Sequence, residues 1–262
     1  MNKLNIENSV NMVMQPKGGA GKSVVSFLLA NYLKDRVNKF QFVDTDPNNP
    51  TFSNYKALDV KTINIIKKVG RERFIDQSKF DEFIEGFIEN YGAGLVDTGS
   101  GDFIYINSYM MSNDIPEVLA ECEKQLIIHV PINYGSSQAE TMAGLFGILE
   151  NYPDTPIVIW GNEFYEAART SIDLKAISKQ TGGKAIGLID IEKRNADTHE
   201  ADFKKMLTQG MIFDEVKASS EFSFLKTKRL LTIQSDIYNQ LDQLFTVGSE
   251  GAPVSAEKTP KS

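Results

Sequence analysis

Short apolar runs alternate along this chain with longer stretches whose apolar residues recur every three or four positions. Runs of the first kind read as buried strands, and the others as amphipathic helices. Ser9 to Gln15 is the first strand, with Val10 to Met14 as its apolar centre. A helix is predicted from Gly21 to Asp35, where Val25, Leu28, Leu29 and Leu33 share a face. Phe40 to Val43 is a second strand and ends at Asp44-Thr45-Asp46-Pro47. Asn48 to Val60 follows as a long loop, since Pro47, Asn48, Asn49 and Pro50 oppose regular structure. Thr62 to Ile66 reads as a short strand. Ser78 with Asp81 resembles a capping box, and Phe80, Phe83, Ile84, Phe87 and Ile88 then form a helical stripe that packs in a core.

Leu95 and Val96 make a strand ending at Asp97, followed by the loop Thr98-Gly99-Ser100-Gly101-Asp102. Helices are predicted over Ile104 to Met111 and Glu117 to Cys122. Gln125 to Val130 is a strand that places His129 as a packed core histidine. Ser136 to Leu149 is a helix with Met142, Leu145, Phe146 and Leu149 on one face. Pro156 to Trp160 is a strand ending at Gly161-Asn162; a helix over Ile172 to Lys179 and a strand over Ala185 to Ile189 come next. Ala201 to Leu207 and Phe213 to Val216 are short helices. A last helix, Lys226 to Phe245, carries Leu230, Ile233, Ile237, Leu241 and Leu244 on one side. That side docks on the body, pairs with a partner helix, or lies on a membrane; Gln and Asp on the polar face disfavour the membrane. Strands alternating with helices imply an α/β fold, a mostly parallel, doubly wound sheet. One domain over residues 1–247 is expected, with 248–262 a disordered Gly/Pro/Ser/Lys tail.

The glycines add chemistry to this pattern. Between the first strand and first helix lies Lys17-Gly18-Gly19-Ala20-Gly21-Lys22-Ser23. It fits the phosphate loop G-x-x-x-x-G-K-[ST] except at the first glycine, where Pro16 stands, and it adds Lys17. Glycines let consecutive N–H groups converge on one anion, and the helix start through Val24 adds its own N–H groups and dipole. Lys22 supplies charge to the outer phosphates, and Ser23 a hydroxyl to Mg²⁺. Right-handed crossovers place the post-strand loops at one edge of the sheet. Asp44, Asp46 and Asp97 then join the phosphate loop. Asp97 suits Mg²⁺ held through water, Asp44 supports that metal shell, and Asp46 positions the attacking water. Gly101 offers an N–H to the γ-phosphate. Asn162 contacts a base edge or is a turn residue.

Composition narrows the choices. The 262 residues carry 28 Lys and Arg against 35 Asp and Glu, a net charge of −7. An acidic chain is a poor non-specific DNA binder, although Lys67, Lys68, Arg71 and Arg73, or Lys226, Lys228 and Arg229, form local basic groups. The single cysteine, Cys122, excludes a disulfide framework within the chain and fits a reducing compartment. Neither a secretory signal nor an apolar run near the ~20 residues of a membrane span is visible. The expected location is cytoplasmic, with any recruitment to the inner membrane made through a partner.

The phosphate loop, Asp44-Thr45-Asp46-Pro47 and Asp97-Thr98-Gly99-Ser100-Gly101 resemble the deviant phosphate-loop ATPases of the MinD and ParA superfamily. Val43 to Phe52, Tyr55 to Val60, Trp160, Asn162 and Ala201-Asp202-Phe203 are similar to the TraL family of conjugal transfer proteins within it. The resemblance spans residues 9–217. It implies an ATP- and Mg²⁺-dependent homodimer, with conjugation or type IV secretion components as partners. It also implies that Lys17 reaches the partner's ATP, that Asp46 serves hydrolysis, that Asp97 serves Mg²⁺ and that Asn162 contacts adenine. The chain departs from the superfamily at Gly99-Ser100, where two prolines are common, so the loop at Gly101 lacks their rigidity. MinD's membrane-targeting tail and the added N-terminal DNA-reading domain of some ParA proteins are not evident. The expected function is a slow, partner-stimulated ATPase switch for conjugation. The alternatives are a ParA-like DNA-positioning ATPase, a small-molecule enzyme on the same scaffold, and a binding module without turnover.

Overall fold

The computed structural model describes residues 3–46, 51–70, 72–90, 92–163, 172–180 and 182–247. The chain opens with β1 (Leu4–Asn5), β2 (Ser9–Val13), α1 (Lys22–Arg36), β3 (Phe40–Asp44) and β4 (Lys61–Thr62). The hairpin β5 (Ile66–Val69) and β6 (Glu72–Ile75) leads to α2 (Gln77–Asn90) and β7 (Ala93–Asp97). Then come α3 (Phe103–Ser112), α4 (Ile115–Glu121), β8 (Gln125–Asn133), α5 (Gln138–Asn151), β9 (Ile157–Asn162), α6 (Leu174–Gln180) and β10 (Ala185–Ile191). The chain closes with α7 (Ala201–Thr208), α8 (Phe213–Ala218), α9 (Phe224–Leu244) and β11 (Phe245–Thr246).

Seven strands form one sheet in the order β10-β9-β8-β2-β7-β3-β4, and every pairing in it is parallel. Parallel strands need helical crossovers, which cover both faces and make the strands apolar throughout. One face buries Val13, Val25, Leu29, Trp160 and Leu230 under α1 and α7 to α9. The other buries Met12, Phe80, Phe87, Ile128 and Leu145 under α2 to α6. The chain leaves β2 toward β3 and β4, returns to β7, and then crosses to β8, β9 and β10. Its direction of winding therefore reverses at the middle of the sheet, where open α/β sheets place their ligand crevice.

Register decides which loops meet there. Val13 lies opposite Asp97, and Asp44 lies opposite Asp97 on the other side. Asn133 lies opposite Asn162. The strands that carry the acidic residues thus end level with the start of the phosphate loop.

A buried polar line crosses the sheet beneath this edge. Asn11 donates to Ser9 Oγ at 2.8 Å and to Gly94 O at 3.1 Å. His129 Nε2 meets Asn11 Oδ1 at 3.0 Å, and Trp160 Nε1 donates to His129 Nδ1 at 3.0 Å. Burial drives the His129 pKa down to about 3. It is a neutral core residue, as the sequence suggested.

Several elements differ from expectation. The cap of α2 is Asp76, which takes the Ser78 hydroxyl at 2.9 Å and the Lys79 N–H. Asp81 instead accepts from the Tyr109 hydroxyl. The helix starts at Gln77 because β6 ends at Ile75, so Ser78 lies inside it. On α5, Leu145, Ile148 and Leu149 set the buried face, and Phe146 is exposed. The Asn48 to Val60 loop contains 3₁₀ turns at Phe52–Asn54 and Lys56–Leu58 that bury Phe52 and Leu58. The expected strand over Thr62 to Ile66 is two separate strands, β4 and β5.

The α9 helix docks on the body: Leu230, Ile233, Ile237 and Leu241 are buried. Tyr238 donates to Asp35 at 2.8 Å, and Arg36 pairs with Asp242 at 3.1 Å. No helix among the described residues is long and apolar enough to cross a membrane. The expected tail at 248–262, along with Pro47, Asn48, Asn49, Pro50 and Arg71, lies outside the described residues.

Candidate functional site

The loop from Gln15 to Gly21 is held from below. Gln15 Nε2 donates to Pro131 O at 2.9 Å and Thr141 O at 3.1 Å. Asn133 Nδ2 donates to Gly19 O at 3.1 Å. Gly21 caps α1 with φ 91° and ψ 20°, a left-handed conformation that glycine adopts without steric cost. The N–H groups of Val24 and Val25 return to Gly21 O, both at 3.0 Å. Among the described residues, the N–H groups of Gly18, Gly19, Ala20, Gly21, Lys22 and Ser23 have no acceptor. Val24, which the sequence placed with them, spends its N–H inside the helix. This free row at a helix start is an anion cradle.

Lys22 is buried beside the row. Its Nζ donates to Gln15 O at 3.1 Å and Lys17 O at 3.5 Å. Burial pulls its pKa below the lysine range, against the opposing pull of Asp97 and Asp46. Asp97 is buried and accepts from the Ser26 hydroxyl at 2.9 Å and from the Ser23 hydroxyl. Burial raises its pKa to about 7, Asp44 adds to the rise, and the two hydroxyls and Lys22 work against it. The strand ends are pinned around it. Thr45 donates to Asp97 O through its N–H at 3.0 Å and its hydroxyl at 3.1 Å. Thr98 Oγ1 donates to Val13 O at 2.7 Å.

Asp44 accepts backbone N–H groups on both carboxylate oxygens. Its Oδ1 accepts the Asp46 N–H at 3.0 Å and its Oδ2 the Ser53 N–H at 3.0 Å. Phe52 N–H adds a further bond, and burial raises the carboxyl above its usual range. Asp44 thereby clamps both described ends of the loop that carries Asp46. A Cβ on Gly99 would stand 3.1 Å from Asp46 Cγ, so Asp46 rests against the loop that follows Asp97. Gly101 is exposed at the end of that loop, just before α3.

Two expected residues make contacts within the chain. Lys17 forms an ion pair with Glu140 on α5 of its own chain. Asn162 is buried, and its amide donates to Ala20 O and Asn133 Oδ1, both at 3.4 Å. In this arrangement Asn162 supports the phosphate loop. Gln15, Ser26, Asn133 and Glu140 join this group of residues in the structure. Ser26 had a signal, since it lies three residues after Ser23 on one helix face. Asn133 and Glu140 reach the loop only through the fold.

The donors suit a Mg-nucleotide. Among the described residues, no group of three His, Cys, Asp or Glu side chains is placed to hold a metal alone. Asp97 and Ser23 supply hard oxygen donors in contact with each other, and among the described residues the fully buried Asp97 carboxylate is bonded only by hydroxyls. Mg²⁺ is commonly bound by one or two such groups plus phosphate and water.

Two Escherichia coli proteins, each named Protein TraL, are 29% identical to the chain over 237 and 238 residues, 89% of it and 97% of theirs. The structure of the MinD cell division protein from Aquifex aeolicus matches 90% of this chain and 97% of its own at 15% identity, with a TM-score of 0.46. The CobQ/CobB/MinD/ParA nucleotide binding domain matches residues 11–242, and the chain belongs to that family.

Proposed function

We propose that the protein binds ATP with Mg²⁺, hydrolyses it slowly, and acts as a nucleotide-dependent dimeric switch in plasmid conjugal transfer. The observation that carries this is the row of free N–H groups from Gly18 to Ser23 beside buried Lys22, level with Asp97. The amides and Lys22 bind and orient the phosphates. Ser23 and Asp97 would hold the metal. Bound Mg²⁺ neutralises phosphate charge as it develops. Asp46 orients the attacking water, and Asp44 fixes Asp46 through its backbone. Gly101 approaches the γ-phosphate with its N–H. Lys17 completes the site of a second copy, which requires it to leave Glu140.

The conjugal role draws on the likeness to the TraL proteins. A conjugation or secretion component is then the partner that stimulates turnover and recruits this cytoplasmic protein to the inner membrane. DNA positioning draws less support, because Lys226 and Arg229 both face Asp202, at 3.8 and 2.8 Å. Sedimentation and phosphate release, measured with Mg²⁺ and ATP and repeated with DNA, test the reading. Dimer formation on ATP with slow release of phosphate is expected. A chain that stays monomeric with ATP at high concentration, or releases no phosphate, defeats it.

A further inference from the structure

Gly99 and Ser100 lie in the turn that joins β7 to α3. Asp102 N–H closes the turn onto Gly99 O at 3.2 Å. A Cβ at residue 99 would stand 3.2 Å from both Asp46 Oδ2 and Asp102 Oδ2. A prolyl ring there would press on both carboxylates, whereas glycine lets them flank the turn. Ser100 then stands against the phosphate loop. Its Oγ lies 3.4 Å from the place a Cβ on Gly18 would take. Ser100 is half-buried, and its hydroxyl has no hydrogen-bond partner among the described residues. An uncommitted donor therefore faces the Lys17–Gly18 end of a loop whose own N–H groups are free.

We propose that Ser100 is a terminal-phosphate sensor: its hydroxyl donates to the γ-phosphate and lets the site distinguish a nucleoside triphosphate from a diphosphate. The inference rests on the ATP reading above. It follows from the side of the loop that Ser100 occupies. Asp46 lies against the adjacent Gly99, and in that reading Asp46 faces the γ-phosphate. A diphosphate has no oxygen at that point, so the hydroxyl adds nothing to its binding.

The test uses the full chain as wild type, Ser100→Ala and Ser100→Thr. Each is titrated calorimetrically with Mg²⁺ and the β,γ-imido analogue of ATP, and separately with Mg²⁺ and ADP. Loss of one hydrogen bond to a charged oxygen lowers affinity by roughly tenfold or more. Ser100→Ala is expected to show that loss for the triphosphate analogue and to hold ADP affinity within about twofold. Ser100→Thr, which keeps the hydroxyl, is expected to restore the preference. Equal losses for both nucleotides, or no loss for either, overturn the assignment while leaving the ATP reading intact. A wild type that binds neither nucleotide overturns both.

Discussion

A Cβ on Gly21 would stand 2.5 Å from Asn162 Nδ2. The cap of α1 and the end of β9 are thus in contact across the phosphate loop, and residue 21 is glycine for two reasons. Its φ of 91° is strained for any side chain, and Asn162 fills the space.

Gly21→Ala is therefore expected to destabilise the fold and to impair nucleotide binding. The backbone conformation alone costs roughly 1–2 kcal/mol, and the contact adds to it. Asn162→Ala in the same chain removes the contact but not the backbone strain. Urea unfolding of the two single variants and the double variant measures this. Gly21→Ala should cost less stability in the Asn162→Ala background than alone. Additive effects would mean that the loop moves aside freely.

Lys22 and Asp46 occupy the same neighbourhood, but the roles proposed for them are separable. Lys22→Ala removes the buried cation beside the free amides and should abolish measurable nucleotide binding. Asp46→Ala should leave nucleotide affinity within a few-fold and slow hydrolysis by about 10²–10⁴-fold, the usual reach of a positioned acid or base. Equilibrium titration and single-turnover phosphate release separate the two. If Asp46→Ala hydrolyses at the wild-type rate, another group orients the water.

Lys17 pairs with Glu140, and under the proposed dimeric reading that pair competes with assembly. An exposed ion pair is worth at most about 1 kcal/mol, so Glu140 holds Lys17 only lightly. Glu140→Ala should release Lys17 and tighten ATP-dependent dimerisation by up to about fivefold. Lys17→Ala should weaken it, and the double variant should behave like Lys17→Ala. Sedimentation with ATP across a concentration series reads these effects. If Glu140→Ala strengthens the dimer equally in the Lys17→Ala background, the ion pair is irrelevant to assembly.

The signals that point to the candidate site are local. The phosphate loop lies within seven consecutive residues, and Asp44 and Asp97 each end an apolar strand. Register then made Asp44 and Asp97 neighbours. The Asp44 clamp was not legible, because its partners Phe52 and Ser53 follow a proline-rich stretch that has no periodicity. Nor was Glu140 legible as the partner of Lys17, because they meet only through the β8–α5 crossover. Phe146 was misplaced for a related reason. It lies one step from Leu145, and only the packing of Leu145, Ile148 and Leu149 shows which side of α5 is buried.

His129 gives the fold a measurable pH dependence beneath the site. Its neighbours Asn11, Trp160 and Phe245 carry no charge, and burial holds its pKa near 3 against an ordinary 6.5. The unfolded chain therefore takes up a proton below pH 6.5 that the folded chain refuses, so stability falls as pH falls through that value. The slope approaches about 1.4 kcal/mol per pH unit. Asp97 works in the opposite direction. Its raised pKa, about 7 against 3.8, favours the folded state at low pH and loses that advantage as pH rises. The total stability curve mixes the two, but a comparison with His129→Gln isolates the histidine because the Asp97 contribution is common to both chains. Gln can meet Asn11 and Trp160 without titrating. Between pH 7 and 5, wild type should lose about 2 kcal/mol relative to His129→Gln in urea unfolding. A difference that stays constant over that range would mean that His129 takes its proton in the folded state.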